Sequence, residues 1–194
     1  MKIVKTFSLF LLFGLLALVA GFNLWGALTL GDLEPAANPV ITDDANEVVM
    51  VFGATGTVGD GLLEAAIDDP AVKKVYVITR RTSPRIEQGV ASGKVVMRLH
   101  EDFSDYSSLA DILGEVNTVL WGLGTSSLQV DEETYTRIHV DFPLTFVKAW
   151  LAARTAGPMS FHYVTGMGTD AQGKQRWARD KGRAEQELAA LAEG

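Results

Sequence analysis

Residues 48–67 read VVMVFGATGTVGDGLLEAAI, and this stretch restricts the fold more than any other. An unbroken apolar run passes through Gly53, Gly56 and Gly59, spaced three apart, into a helical pattern. Val58, Leu62, Leu63, Ala66 and Ile67 recur at three- and four-residue intervals, so they share one helix face. Strand, glycine turn and helix in that order open a βα unit. In such a turn the first glycine permits a tight bend and the second lets backbone approach a diphosphate. The third lets helix and strand pack closely. The helix start contributes free N–H groups and the positive end of its dipole. A dinucleotide-binding turn is the reading this context favours over a plain βα connection.

The rest of the chain repeats the alternation. Short apolar runs at 48–52, 75–79, 95–99, 118–121 and 161–165 predict strands. Helical patterns lie between them at 57–68, 106–114 and 132–156, with a last one at 174–192. Pro143 is expected to bend the long helix or restart it. Strands that are apolar almost throughout are covered on both faces. The pattern therefore predicts an α/β fold, a doubly wound parallel sheet of the Rossmann type with about five strands.

One segment does not fit that plan. Residues 7–30, FSLFLLFGLLALVAGFNLWGALTL, carry only Ser8, Asn23 and Thr29 as polar side chains. About 24 residues suffice to cross a bilayer core, which needs roughly 20. Lys2 and Lys5 precede the run, and Asp32, Glu34, Asp43 and Asp44 follow it. The run exceeds the apolar core of a secretory signal and lacks an A-x-A cleavage pattern, so an uncleaved anchor is preferred to a cleaved signal. The expected organisation is thus an N-terminal transmembrane helix within 1–30, a proline-containing acidic linker over 31–46, and a folded domain over 47–194.

Composition removes other classes. The net charge is −7 and no basic tract is present, which disfavours nucleic acid as a partner. Cysteine is absent, so disulfides, thiolate metal sites and cysteine nucleophiles are excluded. His100, His139 and His162 lack the spacing of a metal site, and no metal is expected. His139 and Asp141, two apart in the long helix, read as a capped or solvated pair.

The second strand selects among dinucleotides. A binder of NAD tends to place Asp or Glu about 20 residues beyond the glycines, on the ribose 2′-hydroxyl. Here VYVITRR ends in Arg80 and Arg81, which suit a 2′-phosphate, so NADP is expected in preference to NAD. Asp102, at the end of the third strand, is either an acceptor for the adenine amino group or a turn cap.

GATGTVG, TRR, EDFSDY, WGLGTS, YTRIHVDFP, FHYVTGMGTD and WARDKGRAEQEL occur in that order. Together they resemble the atypical short-chain dehydrogenase/reductases of the NmrA-like and NAD-dependent epimerase-like kind, over residue 48 to the C-terminus. The resemblance implies that Gly53, Thr55, Gly56, Thr57, Val58 and Gly59 line the diphosphate turn. It implies that Arg80 and Arg81 meet the 2′-phosphate, and that Asp102 and Phe103 flank the adenine. Gly122, Leu123 and Gly124 would pass the ribose and nicotinamide. Thr165 stands where such enzymes carry a catalytic Ser or Thr, and Lys181 where they carry the lysine of Tyr-x-x-x-Lys, as a catalytic and ribose-binding residue.

Two departures weigh on the chemistry. Trp177 occupies the tyrosine's place, and an indole N–H donates but does not titrate usefully. Tyr163, two residues before Thr165 on the same expected strand, faces the same side as a candidate substitute, but a core or edge-strand tyrosine is the reading preferred. The sequence also stops after the lysine helix, where the family continues into segments that shape a substrate pocket, so the domain reads as truncated. The resulting expectation is an NADP(H)-binding oxidoreductase-like protein that moves hydride to or from a small carbonyl or alcohol. The alternative is a non-catalytic NADP(H)-binding sensor or interaction subunit with an unknown protein partner. Localisation is expected at a membrane through residues 7–30, as a single pass. The lysine bias places the domain outside the cytoplasm, whereas the cofactor places it inside.

Overall fold

The computed structural model of the protein describes residues 2–29, 46–154 and 157–192. The chain divides into two units, residues 1–41 and 42–194. Helix α1, Lys2–Thr29, makes up the described part of the first. Its described side chains are exposed, Phe22 and Trp25 each at 70%. Counting only positions whose side chains are described, no helix is long and apolar enough to cross a membrane. The continuous stretch in α1 is residues 12–25, about 21 Å at 1.5 Å per residue, against a core of roughly 30 Å. Residues 7–29 of the expected anchor are helical, while residue 30 and the linker positions 31–45 lie outside the described residues.

The second unit is a five-stranded parallel sheet in the order β3-β2-β1-β4-β5. Its strands are β1 Val48–Phe52, β2 Lys74–Thr79, β3 Val95–Leu99, β4 Thr118–Trp121 and β5 Ser160–Tyr163. Helices α2 Thr57–Asp68, α3 Pro84–Ala91, α4 Ala110–Leu113, α5 Glu132–Thr136, α6 Phe142–Ala153 and α7 Arg176–Ala192 connect or follow them. The strand order, stepping outward from β1 in both directions, is the doubly wound arrangement.

Strand alternation explains why the apolar runs are continuous. Successive side chains of a strand point to opposite faces. Val49 and Val51 pack with Val75, Val77, Leu63 and Ile86 on one side of the sheet. Met50 and Phe52 pack with Tyr76, Ile78, Val119, Trp121 and Phe146 on the other. On that second side the ring of Phe52 lies 4.4 Å from Trp121 and 4.7 Å from Phe146, centroid to centroid. Both faces are buried, so no polar position is tolerated inside β1.

Four details depart from the sequence reading. Helix α3 was not expected; Ser83 caps it by accepting from Ile86 N–H, and Pro84 opens its first turn. Only Ile86 and Val90 supply apolar side chains of any size there, which leaves the periodic signal weak. The segment 106–114 is a 3-10 turn, Ser107–Leu109, running into α4, rather than one helix. The long helix expected over 132–156 is interrupted by a π-helical turn, Arg137–Asp141, after which α6 restarts at Phe142 with Pro143 in its first turn. Finally, β5 ends at Tyr163. The Val164 N–H still donates to Trp121 O at 3.2 Å, and the chain then leaves the sheet, so Thr165 is not a strand residue.

Register aligns the ends of the strands. Phe52 stands beside Ile78 and Trp121, and Trp121 beside Tyr163. The turns after β1, β2, β4 and β5 therefore emerge together at one edge.

Candidate active site and cofactor cleft

At that edge three backbones cross with no room for side chains. Gly53 has φ +75°, and a Cβ on it would stand 2.5 Å from the carbonyl carbon of Gly122. A Cβ on Gly59 would lie 2.1 Å from Gly53 O. Both distances are below any real Cβ contact, so the turn after β1, the first turn of α2 and the turn after β4 interlock only as glycines. Gly56 differs. A Cβ there would meet one atom, Gly53 O at 3.4 Å, an ordinary contact. The chain's own packing does not require a glycine at 56, and the space is kept open on the solvent side.

The start of α2 is chemically open as well. Its N-cap, Gly56, contributes no side-chain hydrogen bond, and the first N–H groups of a helix have no intrahelical acceptor. Asp60, in the first turn, is held by Arg85 at 2.9 Å, which keeps its carboxyl below the usual range and offsets its charge near this anion-attracting end.

Two clefts flank the turn. One, of about 360 Å³, is lined by Gly53, Thr55, Ile78, Thr79, Arg80, Arg81, Phe103 and Leu123. The other, of about 400 Å³, runs past Gly56, Thr57, Val58, Gly122, Gly124, Thr125, His139, Val164 and Lys181, with Leu123 shared. The structure thus gathers every residue assigned to the dinucleotide except Gly59, packed beneath the turn, and Asp102. Asp102 Oδ1 accepts from Ser104 N–H at 2.9 Å, closing a turn. Phe103 is buried against Phe52 and Phe142 and lines the first cleft. Thr79 Oγ1 accepts from Arg81 N–H and donates to Arg81 O, fixing the backbone that carries the two arginines. Neither of their guanidinium groups pairs with a carboxylate among the described residues.

The residues expected to do chemistry have other partners. Lys181 Nζ donates to Val164 O at 2.9 Å and lies 5.5 Å from the Tyr163 ring centroid. Burial lowers its pKa. Tyr163, the candidate substitute for the missing phenol, donates its hydroxyl to His139 O at 2.9 Å, and burial drives its pKa up. It is a half-buried tyrosine whose hydroxyl is bonded to a backbone carbonyl. Thr165 is exposed and donates to Glu185, whose other oxygen accepts from Thr169 at 3.1 Å. Trp177 is half-buried, its ring beside Gly166 and its N–H on Gln175.

Two residues were missed. His139 is 2% exposed, so it is neither solvated nor a cap. Its Nε2 lies 3.1 Å from Thr125 N and 3.0 Å from Thr125 O, and burial depresses its pKa to about 4. His139 lies within the π turn, and no spacing rule in the sequence signals that. Arg176 donates to Val130 O at 3.1 Å and to Ser127 O, with its guanidinium 5.1 Å above the Tyr135 ring centroid. It straps the loop after β4 to the start of α7.

Comparison with known proteins places this arrangement. No family profile matches the chain. Leucinostatins biosynthesis cluster protein T of Purpureocillium lilacinum is 29% identical over 118 residues, covering 60% of this chain and 42% of the relative. Protein fmp52, mitochondrial, of Emericella nidulans is 28% identical over 145 residues, covering 74% and 60%. The chain thus spans about half the length of the curated relatives it matches. A short-chain dehydrogenase from Streptomyces avermitilis superposes with a TM-score of 0.60 at 21% identity, over 76% of this chain and 61% of that one. NADPH-bound carbonyl reductase from chicken fatty liver gives 0.61 at 14% identity, over 77% and 71%. The doubly wound fold is shared with these two enzymes. Within that fold, the glycine crossing and both clefts lie at the sheet edge where ligands gather, outside the carboxyl ends of the strands.

Two outcomes are expected from the geometry. Gly59→Ala should lower stability by roughly 1–3 kcal/mol or more, as overpacking does, whereas Gly56→Ala, which meets no clash and loses only the cap preference for Gly over Ala, should cost about 1 kcal/mol or less; urea melts of the two variants compare them directly. The second concerns pH. The unfolded imidazole takes up a proton near pH 6.5 and the folded His139 only near 4, so the unfolded state binds more protons between those values. Stability should fall as pH drops through that window. His139→Gln should flatten that part of the curve, as measured by urea midpoints at pH 4.5, 5.5 and 7.

Proposed function

We propose that the domain binds NADP(H) across the two clefts and serves hydride transfer to or from a small carbonyl or alcohol. The observation that carries the reading is Gly56: its missing side chain is unexplained by internal packing and explained by a diphosphate seated on the start of α2. The cleft bounded by Thr55, Arg80, Arg81 and Phe103 suits the adenosine end. Two arginines that pair with no carboxylate among the described residues supply the charge that a 2′-phosphate requires. The cleft with Gly122, Leu123, Gly124 and Lys181 suits the ribose and nicotinamide end. When bound, the dinucleotide supplies or accepts the hydride. Lys181 spends one N–H on Val164 O, and two donors remain for ribose hydroxyls.

A second reading, binding without turnover, is favoured by a specific observation. The phenol of Tyr163 and the hydroxyl of Thr165 are committed to His139 and Glu185, and Trp177 stands where the acid/base tyrosine is expected. A sensor or interaction subunit needs the clefts and not the proton donor.

We also propose that α1 is a membrane anchor. The helix is 28 residues long, and large apolar side chains from Leu12 to Leu28 are exposed all round it. An apolar surface of that extent requires lipid or a partner. The folded domain is assigned to whichever face of the membrane carries the dinucleotide.

Fluorescence titration with NADPH and NADH tests the first proposal. Arg80→Glu and Arg81→Glu should each weaken NADPH by about tenfold or more, roughly 1.4 kcal/mol, and leave NADH nearly unchanged. Equal weakening of both would remove the 2′-phosphate assignment. Oxidation of NADPH with a panel of carbonyl compounds then separates the readings, because tight binding with no turnover supports the second. For the anchor, the full chain should float with liposomes and resist carbonate extraction, and a chain lacking residues 1–30 should do neither.

A further inference from the structure

We propose that His139 is a positioning residue that holds the loop after β4 against the nicotinamide half of the dinucleotide. The proposal rests on the cofactor reading above. The π-helical turn Arg137–Asp141 brings the imidazole against Gly124 and Thr125, where it is buried and lines the second cleft. Its Nε2 faces both polar groups of one residue, Thr125 N and Thr125 O. A neutral imidazole nitrogen either accepts or donates. One of the two backbone groups is therefore bonded in either tautomer, and the loop is held at its midpoint.

Gly124 is the complement of this ring. A Cβ there would stand 2.9 Å from His139 Cε1, so the imidazole occupies the space a side chain would fill. The π turn also presents His139 O to Tyr163, and the Tyr163 ring lies beside Lys181 Nζ. One residue thus joins the loop beside the cofactor to the strand and helix that carry the lysine. His139 touches no reacting atom in this scheme; it acts through Thr125 and Gly124.

Three variants and two ligands decide the matter. His139→Gln places an amide oxygen and an amide N–H near the position of Nε2, so it can meet Thr125 N–H and Thr125 O together. His139→Leu keeps bulk and loses both. Gly124→Ala pushes the ring away. The Leu and Ala variants should bind NADPH about tenfold more weakly, and the Gln variant should stay within about twofold of the native protein. Adenosine 2′,5′-bisphosphate, which lacks the nicotinamide half, should bind all three as it binds the native chain. Hydrogen exchange at the Thr125 amide should quicken in the Leu variant and not in the Gln variant. Unchanged exchange in the Leu variant, or equal loss of both ligands, would overturn the assignment. A native protein that binds no NADPH would sink the cofactor reading, and the exchange measurement would then judge the clamp alone.

Discussion

The whole site depends on an exclusion: where the turns after β1 and β4 meet the first turn of α2, backbone touches backbone and a single methyl group does not fit. Gly53 and Gly59 are fixed by that crossing, and Gly122 lies in it. Close approach of this kind lowers α2 onto the sheet, so that its first N–H groups stand at the sheet's carboxyl edge and not above it. The aromatic packing of Phe52, Trp121 and Phe146 supports the crossing from below, because Phe52 and Trp121 are the last residues of the two strands that enter it. Core and site are therefore one structure, with the hydrophobic stack ending one residue before the glycines begin.

Around the second cleft the polar groups are bonded to each other through the backbone. His139 meets Thr125, Tyr163 meets His139 O, Lys181 meets Val164 O, and Arg176 meets Val130 O. Each bond joins an element at the sheet edge to α7 or to the π turn. Burial makes the consequences unequal. The imidazole stays neutral and the phenol stays protonated, while the lysine is made easier to deprotonate. Positive charge in this cleft is thus concentrated in Lys181, with the two arginines in the first cleft.

The parts legible in the sequence were those governed by short-range rules. Strand β1, α2 and the glycine turn followed from apolar runs and spacing, and β2 to β4 fell within one residue of their expected limits. Thr55, Arg80, Arg81 and Phe103 shared a cleft because they sit at strand ends, which the pattern locates. What escaped was set by single-residue geometry. Helix α3 carries its cap and proline signals but little apolar periodicity. The π turn inserts one residue into a helical pattern without changing its composition, and His139 lies buried within it. Thr165 was placed on β5 by its apolar neighbours, yet the ladder stops two residues earlier and frees its hydroxyl for Glu185.

The central place of β1 has a cost in time. Its partners are β2, which begins at Lys74, and β4, which begins only at Thr118. During synthesis the most apolar strand of the sheet leaves the ribosome long before the second strand that will cover its flank. Parallel pairing over such separations is slow, since loop-closure entropy is spent before any contact rewards it. The nascent chain accordingly carries an uncovered apolar strand edge until Thr118 and its neighbours are made, and edges left open in that way are prone to aggregation.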